Sequence, residues 1–324
     1  MIEFQHIDKT YRIAKRQAGM GNALKAFFHR EYETIHALSD VNFTIGDGEM
    51  VGYIGPNGAG KSTTIKIMCG ILTPDSGQCV IDGRIPYQER VAHVRNIGVV
   101  FGQRGQLWWD VPVIDSFELI RDIYRVDEGV YRKNVHELSE LLDLGEILKT
   151  PARNLSLGQK MRCEIAASLL HNPKLLFLDE PTIGLDAVSK IAVRKFIKKL
   201  NRERGTTIVL TTHDMQDIEA LTERVLLIGK GRILLDGNLA QLKKHTSDAK
   251  TMAIQYRGTA PALRGDMEQV QSGEGHLTVR FRPSQIPVSE AIAYFAAATE
   301  LVDVSVTDIS TEEMVAQLYK EYRL

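Results

Sequence analysis

The chain has 324 residues, 44% of them hydrophobic, and sets 40 Lys and Arg against 41 Asp and Glu. That length accommodates one large or two unequal domains with a substantial core. The even charge excludes a broadly basic nucleic-acid binder, so no nucleic-acid partner is expected.

In chain order, "IEFQHI" and "DVNFTI" read as two antiparallel strands. Between them, Arg12 to Arg30 carries five Lys or Arg and no acid, with "ALKAFFH" offering an apolar face. This insert, about residues 12–35 in all, suits contact with anionic lipid or a partner helix, and equally a solvated loop. Next, "MVGYIG", "CVID", "IGVVF", "LLFLD", "TTIVLTT" and "RVLLIG" read as strands with amphipathic helical stretches between several of them, an α/β pattern. Three helical stretches between Val113 and Leu170 have no strand between them, which implies a helical subdomain at about 104–172 inserted in the α/β core. After "GRILLDGN" the pattern restarts as "TMAIQYR", "HLTVRFR", a helix around "VSEAIAYFAAA", "VDVSVTD" and a closing helix "STEEMVAQLYKEY". Domains are therefore expected at 1–242 and, as a small α+β unit, at 248–324. Cys69, Cys79 and Cys163 lack a CxxC spacing, which argues against a disulfide framework and a zinc site. The opening "MIEFQHIDKTYR" has no signal-peptide core, and the apolar runs fall short of the roughly 20 residues of a membrane span. Membrane contact is expected through a partner.

"GPNGAGKST", Gly55 to Thr63, matches GxxxxGK[ST], follows the strand "MVGYI" and opens the helix "TIKIMCG". In that context Gly55, Pro56, Asn57, Gly58, Ala59 and Gly60 let backbone N–H groups converge on phosphates, and Thr63 closes the motif. Lys61 reaches the β and γ phosphates, and the Ser62 hydroxyl can ligate Mg²⁺. "LLFLDEP" puts Asp179 and Glu180 at the carboxyl end of a buried strand, where open α/β sheets bind ligands. Asp179 suits holding the metal, and Glu180 suits polarising an attacking water. His213 in "TTHD" ends the next strand.

"GPNGAGKST", "LSLGQKMR", "LLFLDEP", "IGLD" and "TTHD", in this order and spacing, resemble the nucleotide-binding subunit of an ATP-binding cassette (ABC) transporter, from Met1 to about Leu242. The resemblance implies a P-loop α/β core with an N-terminal β subdomain and a helical insert, binding ATP and Mg²⁺. It implies that Gln103 in "FGQRGQ" senses Mg²⁺ and the permease. Gln106 is the rival, and Gln103 is preferred because seven residues separate it from Asp110. Tyr11 in "KTYR" resembles the aromatic that stacks on adenine. Two subunits of this family close head to tail over two ATP molecules, so Ser156, Gly158 and Gln159 in "NLSLGQK" are expected to serve the neighbour's γ-phosphate with the helix start behind them, and Asp186 to reach across. Leu157 stands where the common form has glycine; the loop works if that position has ordinary backbone angles.

"QLWWD" offers two tryptophans, one expected inside the helical subdomain and one in the groove for a permease helix. "GQRGQLWWDVPVIDSFELI" and the α+β tail are most similar to ATPase subunits of ABC-2-type exporters. Expected partners are ABC-2-type permeases and a second ATPase subunit, identical or related, with the chain peripheral on the cytoplasmic side of the membrane. The alternatives are an importer ATPase, whose C-terminal domain is more often an all-β barrel, or a soluble ABC ATPase acting on ribosomes or DNA.

Overall fold

The computed structural model describes residues 1–14, 32–102, 105–239 and 249–322. The first strands are β1 (Ile2–Ala14), β2 (Tyr32–Ile45) and β3 (Met50–Ile54); helix α1 (Lys61–Met68) and β4 (Ser76–Ile81) follow. Short helix α2 (Arg90–Val94) leads to β5 (Ile97–Phe101). Helices α3 (Val113–Tyr124), α4 (Glu128–Leu142) and α5 (Leu157–Leu169), with two 3₁₀ turns before α5, form the strand-free stretch. The chain then alternates through β6 (Leu175–Asp179), α6 (Ala187–Arg204), β7 (Thr207–Thr211), α7 (Met215–Leu221), β8 (Arg224–Gly229) and β9 (Arg232–Asn238).

The opening hairpin is longer than the sequence reading. Arg12 pairs with Thr34, Ile13 with Glu33 and Ala14 with Tyr32, so the ends of the expected insert are strand. The Tyr, Ile and Thr residues there favour a pleated surface. The rest of the insert, 15–31, lies outside the described residues.

Two sheets enclose α1. One has the antiparallel order β2-β1-β4, and the other the order β5-β6-β7-β3-β8-β9, parallel from β5 through β8. Strands β6 and β7 are apolar almost throughout because both faces are covered: Leu175 to Leu178 and Thr207 to Thr211 are buried. Ile65, Ile67 and Met68 of α1 pack in one cluster with Ile2, Phe4 and Phe43 from one sheet and Tyr53, Phe177 and Val209 from the other. Phe4 and Phe43 stack with ring centroids 4.5 Å apart. Gripped from both sides, α1 presents its first turn at a fixed point on the carboxyl edge of the parallel sheet.

The chain divides into two compact units, Met1–Gly237 and Asn238–Leu324. In the second, β10 (Lys250–Arg257), β11 (Glu268–Gly273), β12 (His276–Phe281) and β13 (Glu300–Asp308) form an antiparallel sheet in the order β11-β12-β10-β13. Met252, Ile254, Leu277, Val279 and Phe281 alternate onto one face, where helix α8 (Val288–Ala298) adds Ala291 and Phe295. Helix α9 (Thr311–Glu321) buries Met314, Val315 and Leu318. Strand β11 escaped the sequence reading because "EQVQSG" is an edge strand exposed along its whole length, with no apolar alternation to reveal it.

Candidate functional site

Strand β3 runs into a loop that requires glycine at two positions, Gly55 and Gly60. A Cβ on Gly55 would lie 2.2 Å from the Ile228 carbonyl oxygen, and one on Gly60, whose φ is +116°, would lie 2.7 Å from that of Ala37. The Ala59 N–H donates to the Pro56 carbonyl at 3.1 Å, and Asn57 and Gly58 lie exposed at the tip. Lys61 is buried, and its Nζ donates to the carbonyls of Gly55 (2.7 Å) and Pro56 (3.1 Å). Burial holds its ammonium below the ordinary value, against the pull of Glu180 and Asp179. Tyr11 on β1 brings its hydroxyl within 3.4 Å of Thr63 Oγ1, which sets the ring beside the first turn of α1.

At the ends of β6 and β7, Asp179 pairs in register with Thr211, and Thr211 Oγ1 donates to Asp179 Oδ1 at 2.5 Å. Glu180 takes φ +55°, a left-handed conformation that costs about 1–3 kcal/mol at a non-glycine residue. Its backbone N–H donates to the Thr211 carbonyl at 2.9 Å. Its Oε1 lies 2.8 Å from Nε2 of His213. A cavity of about 340 Å³ is lined by Ser62, Asp179, Glu180, Gly102, Phe101, Lys66 and Ile71. Among the described residues, its lining contains none of Ser156, Gly158, Gln159 and Asp186.

The loops carrying Glu180 and His213 share a buried support with no signature in the sequence. Asp217, fully buried, accepts from the hydroxyls of Thr182 and Thr212, the latter at 3.1 Å, and from Arg194 Nε at 2.5 Å. Arg194 and Lys190 also pair with Asp214, which caps α7. In sequence, Asp217 reads as a solvated acid in the first turn of a helix. Only the tertiary contact with α6 makes it a hub.

Ser156 caps α5 in a reciprocal box: Gln159 N–H donates to Ser156 Oγ at 3.2 Å, and Ser156 N–H to Gln159 Oε1 at 2.9 Å. Leu157 is the first helical residue, does not have positive φ, and is 49% exposed. The leucine therefore introduces no backbone strain. Beside it lies the start of α6, capped by Asp186, which accepts from Ser189 N–H at 2.9 Å and Ser189 Oγ at 2.8 Å. A Cβ on Gly158 would sit 2.5 Å from Ser189 Oγ, and one on Gly184 2.7 Å from Leu157 Cδ2. Two capped helix starts thus abut, and glycine permits the approach on each side.

Gln103 lies outside the described residues. The rival Gln106 has its side chain committed, donating to the Val99 carbonyl at 2.6 Å. The expectation of one buried and one exposed tryptophan is not met: Trp108 is 60% and Trp109 61% exposed. Leu107 is the residue of this segment that turns inward.

The profile of the ABC transporter family matches residues 38–183. The methionine import ATP-binding protein MetN of Corynebacterium glutamicum is 31% identical over 283 residues, covering 86% of this chain and 77% of that protein. The ABC transporter ATP-binding protein NatA of Bacillus subtilis is 30% identical over 215 residues, covering 66% of this chain and 87% of that protein. Among solved structures, a dimeric ATP-binding cassette in a post-hydrolysis state, bound to ADP and Pi, superposes with a TM-score of 0.62 at 29% identity, over 74% of this chain and 99% of that one. A glycine-bearing loop that opens a helix, an acid pair at a strand end and a capped helix start on this fold, together with these relatives, place the chain in the ABC transporter family as an ATP-binding, ATP-hydrolysing subunit.

Proposed function

We propose that the chain powers an ABC-2-type exporter, and that two copies, or one copy and a related ATPase subunit, close head to tail over two ATP molecules. The observation that carries the dimeric reading is the one-sided cavity: Ser62, Asp179 and Glu180 line it, while Ser156 and Leu157 at the capped start of α5 are exposed elsewhere on the same chain. A second chain supplies the missing wall. The neighbour's Ser156 hydroxyl, Gly158 N–H, Gln159 and helix start meet the γ-phosphate, and its Asp186 reaches over the interface.

On the near side, Lys61 exchanges loop carbonyls for the β and γ phosphates, and the backbone of Gly55 to Thr63 wraps them. Ser62 and Asp179 offer hard oxygen donors on one wall, the set that suits Mg²⁺ with phosphates and waters completing its shell. A metal held there would supply positive charge to the phosphoryl group being transferred. Glu180 takes the proton of the attacking water, and His213 orients Glu180 across their 2.8 Å contact. Tyr11 stacks on adenine, and Gln103 reports on the metal. Contact with the membrane, on its cytoplasmic side, runs through the permease; no helix among the described residues is long and apolar enough to cross it.

The exporter reading is supported by the exposed Trp108–Trp109 pair. The methionine-import relative, aligned over 283 residues, favours an importer as the second reading. The chain co-expressed with the permeases of neighbouring reading frames separates the two in membrane vesicles. ATP added outside inverted vesicles should drive solute accumulation, read by mass spectrometry, if the system exports. Solute accumulation only in right-side-out vesicles loaded with ATP would establish import.

A further inference from the structure

The segment that presents the tryptophans is held by helix α5. Glu164, on α5, is 5% exposed; its Oε2 accepts the Gln106 N–H at 2.7 Å and its Oε1 the Leu107 N–H at 3.4 Å. The loop lies so close that a Cβ on Gly105 would come within 2.4 Å of Glu164 Oε1. One turn earlier on α5, the Lys160 ammonium lies 5.3 Å from the centroid of the Trp109 ring. Just before α5, the Arg153 N–H donates to the Trp109 carbonyl at 3.0 Å, and its guanidinium pairs with Asp110 at 2.6 Å. A buried carboxylate is a costly way to hold a loop, and burial pushes Glu164 above the usual range while the two loop N–H groups oppose it. An apolar side chain would pack there more cheaply but could not fix the loop backbone by hydrogen bonds.

We propose that Glu164 is a positioning residue that locks the Trp108–Trp109 segment to helix α5. Ser156 caps the same helix eight residues away, about 12 Å along its axis. Any movement that brings Ser156 to a nucleotide therefore carries the tryptophan pair with it. This rests on the reading that Ser156 engages ATP held by a second copy.

Trp108 and Trp109 are the only tryptophans of the chain, so emission excited selectively from tryptophan, clear of the ten tyrosines, reports this segment alone. The full chain carrying Glu180→Gln is titrated with MgATP, with dimer formation followed by light scattering. Dimerisation should change tryptophan emission. Adding Glu164→Leu should leave dimerisation within threefold while reducing the emission change at least fourfold, and Glu164→Gln, which keeps one acceptor, should restore part of it. A full emission change in the Glu164→Leu dimer overturns the proposal, as does a parent dimer with unchanged emission. Failure of the parent to dimerise would instead count against the head-to-tail reading. Should Glu164→Leu not fold, hydrogen exchange on the parent decides: ATP must slow exchange in 105–109 and in the first turns of α5 together, and slowing of α5 alone refutes the lock.

Discussion

Nε2 of His213 lies 2.8 Å from Oε1 of Glu180, at the ends of two neighbouring parallel strands, and Glu180 has a left-handed backbone. Glu180→Gln should bind ATP normally, lose turnover by about a hundredfold or more, and accumulate an ATP-bound dimer on a sizing column. His213→Ala removes the ring that lies against the Glu180 carboxyl group and should cost about tenfold to a hundredfold in kcat. Near-normal hydrolysis by Glu180→Gln would remove Glu180 as the base.

The one-sided cavity makes the second prediction. Ser156→Arg and Lys61→Ala chains are each expected to be inactive alone. Mixed, they should form heterodimers with one intact composite site and recover measurable ATPase activity. A mixture as inactive as its components contradicts action between chains.

Gly158 and Ser189 test the abutting helix starts. Gly158→Ala places a Cβ 2.5 Å from Ser189 Oγ and should cost about 1–3 kcal/mol of strain, seen as loss of ATP-dependent dimerisation. Ser189→Ala in the same chain should recover at least half of it. Absence of any recovery would mean that the damage arises elsewhere.

Asp217 is expected to matter for folding. Asp217→Ala leaves Arg194 with one partner fewer and two buried hydroxyls without their acceptor, and should lower unfolding stability by about 3–5 kcal/mol in urea titrations of the full chain. A loss below about 1 kcal/mol would reduce the hub to the worth of a surface pair.

Since both tryptophans are exposed, neither Trp108→Ala nor Trp109→Ala should shift the melting temperature appreciably. At least one should weaken permease association by about 2 kcal/mol, measured by co-purification, while basal ATPase stays within a few-fold. Wild-type association in both single variants would move the docking surface elsewhere.

Local chemistry made part of the site legible in one dimension. The phosphate loop requires glycines at particular steps of a strand-turn-helix, so Gly55 to Thr63 announces itself in the chain. Asp179 with Glu180 is visible because a doubly covered strand must be apolar up to the residue where it meets solvent, and the same edge effect marks His213. The α/β alternation, the strand-free helical stretch and the restart after β9 are periodicities of two and of about 3.6, which need no tertiary knowledge to read.

The remainder depended on contacts between distant segments. Whether Trp108 or Trp109 is buried depends on which residue of the segment the fold turns inward, and that residue is Leu107. The sequence of 105–109 contains nothing that states this. Glu164 and Asp217 look like helix-surface acids until the fold lays a loop backbone on one and Thr182, Thr212 and Arg194 around the other. Gly158 and Gly184 matter through Ser189 and Leu157, across a helix junction. A carboxylate has the same spelling whether water or a buried N–H satisfies it, so its role is decided only when packing selects the partner.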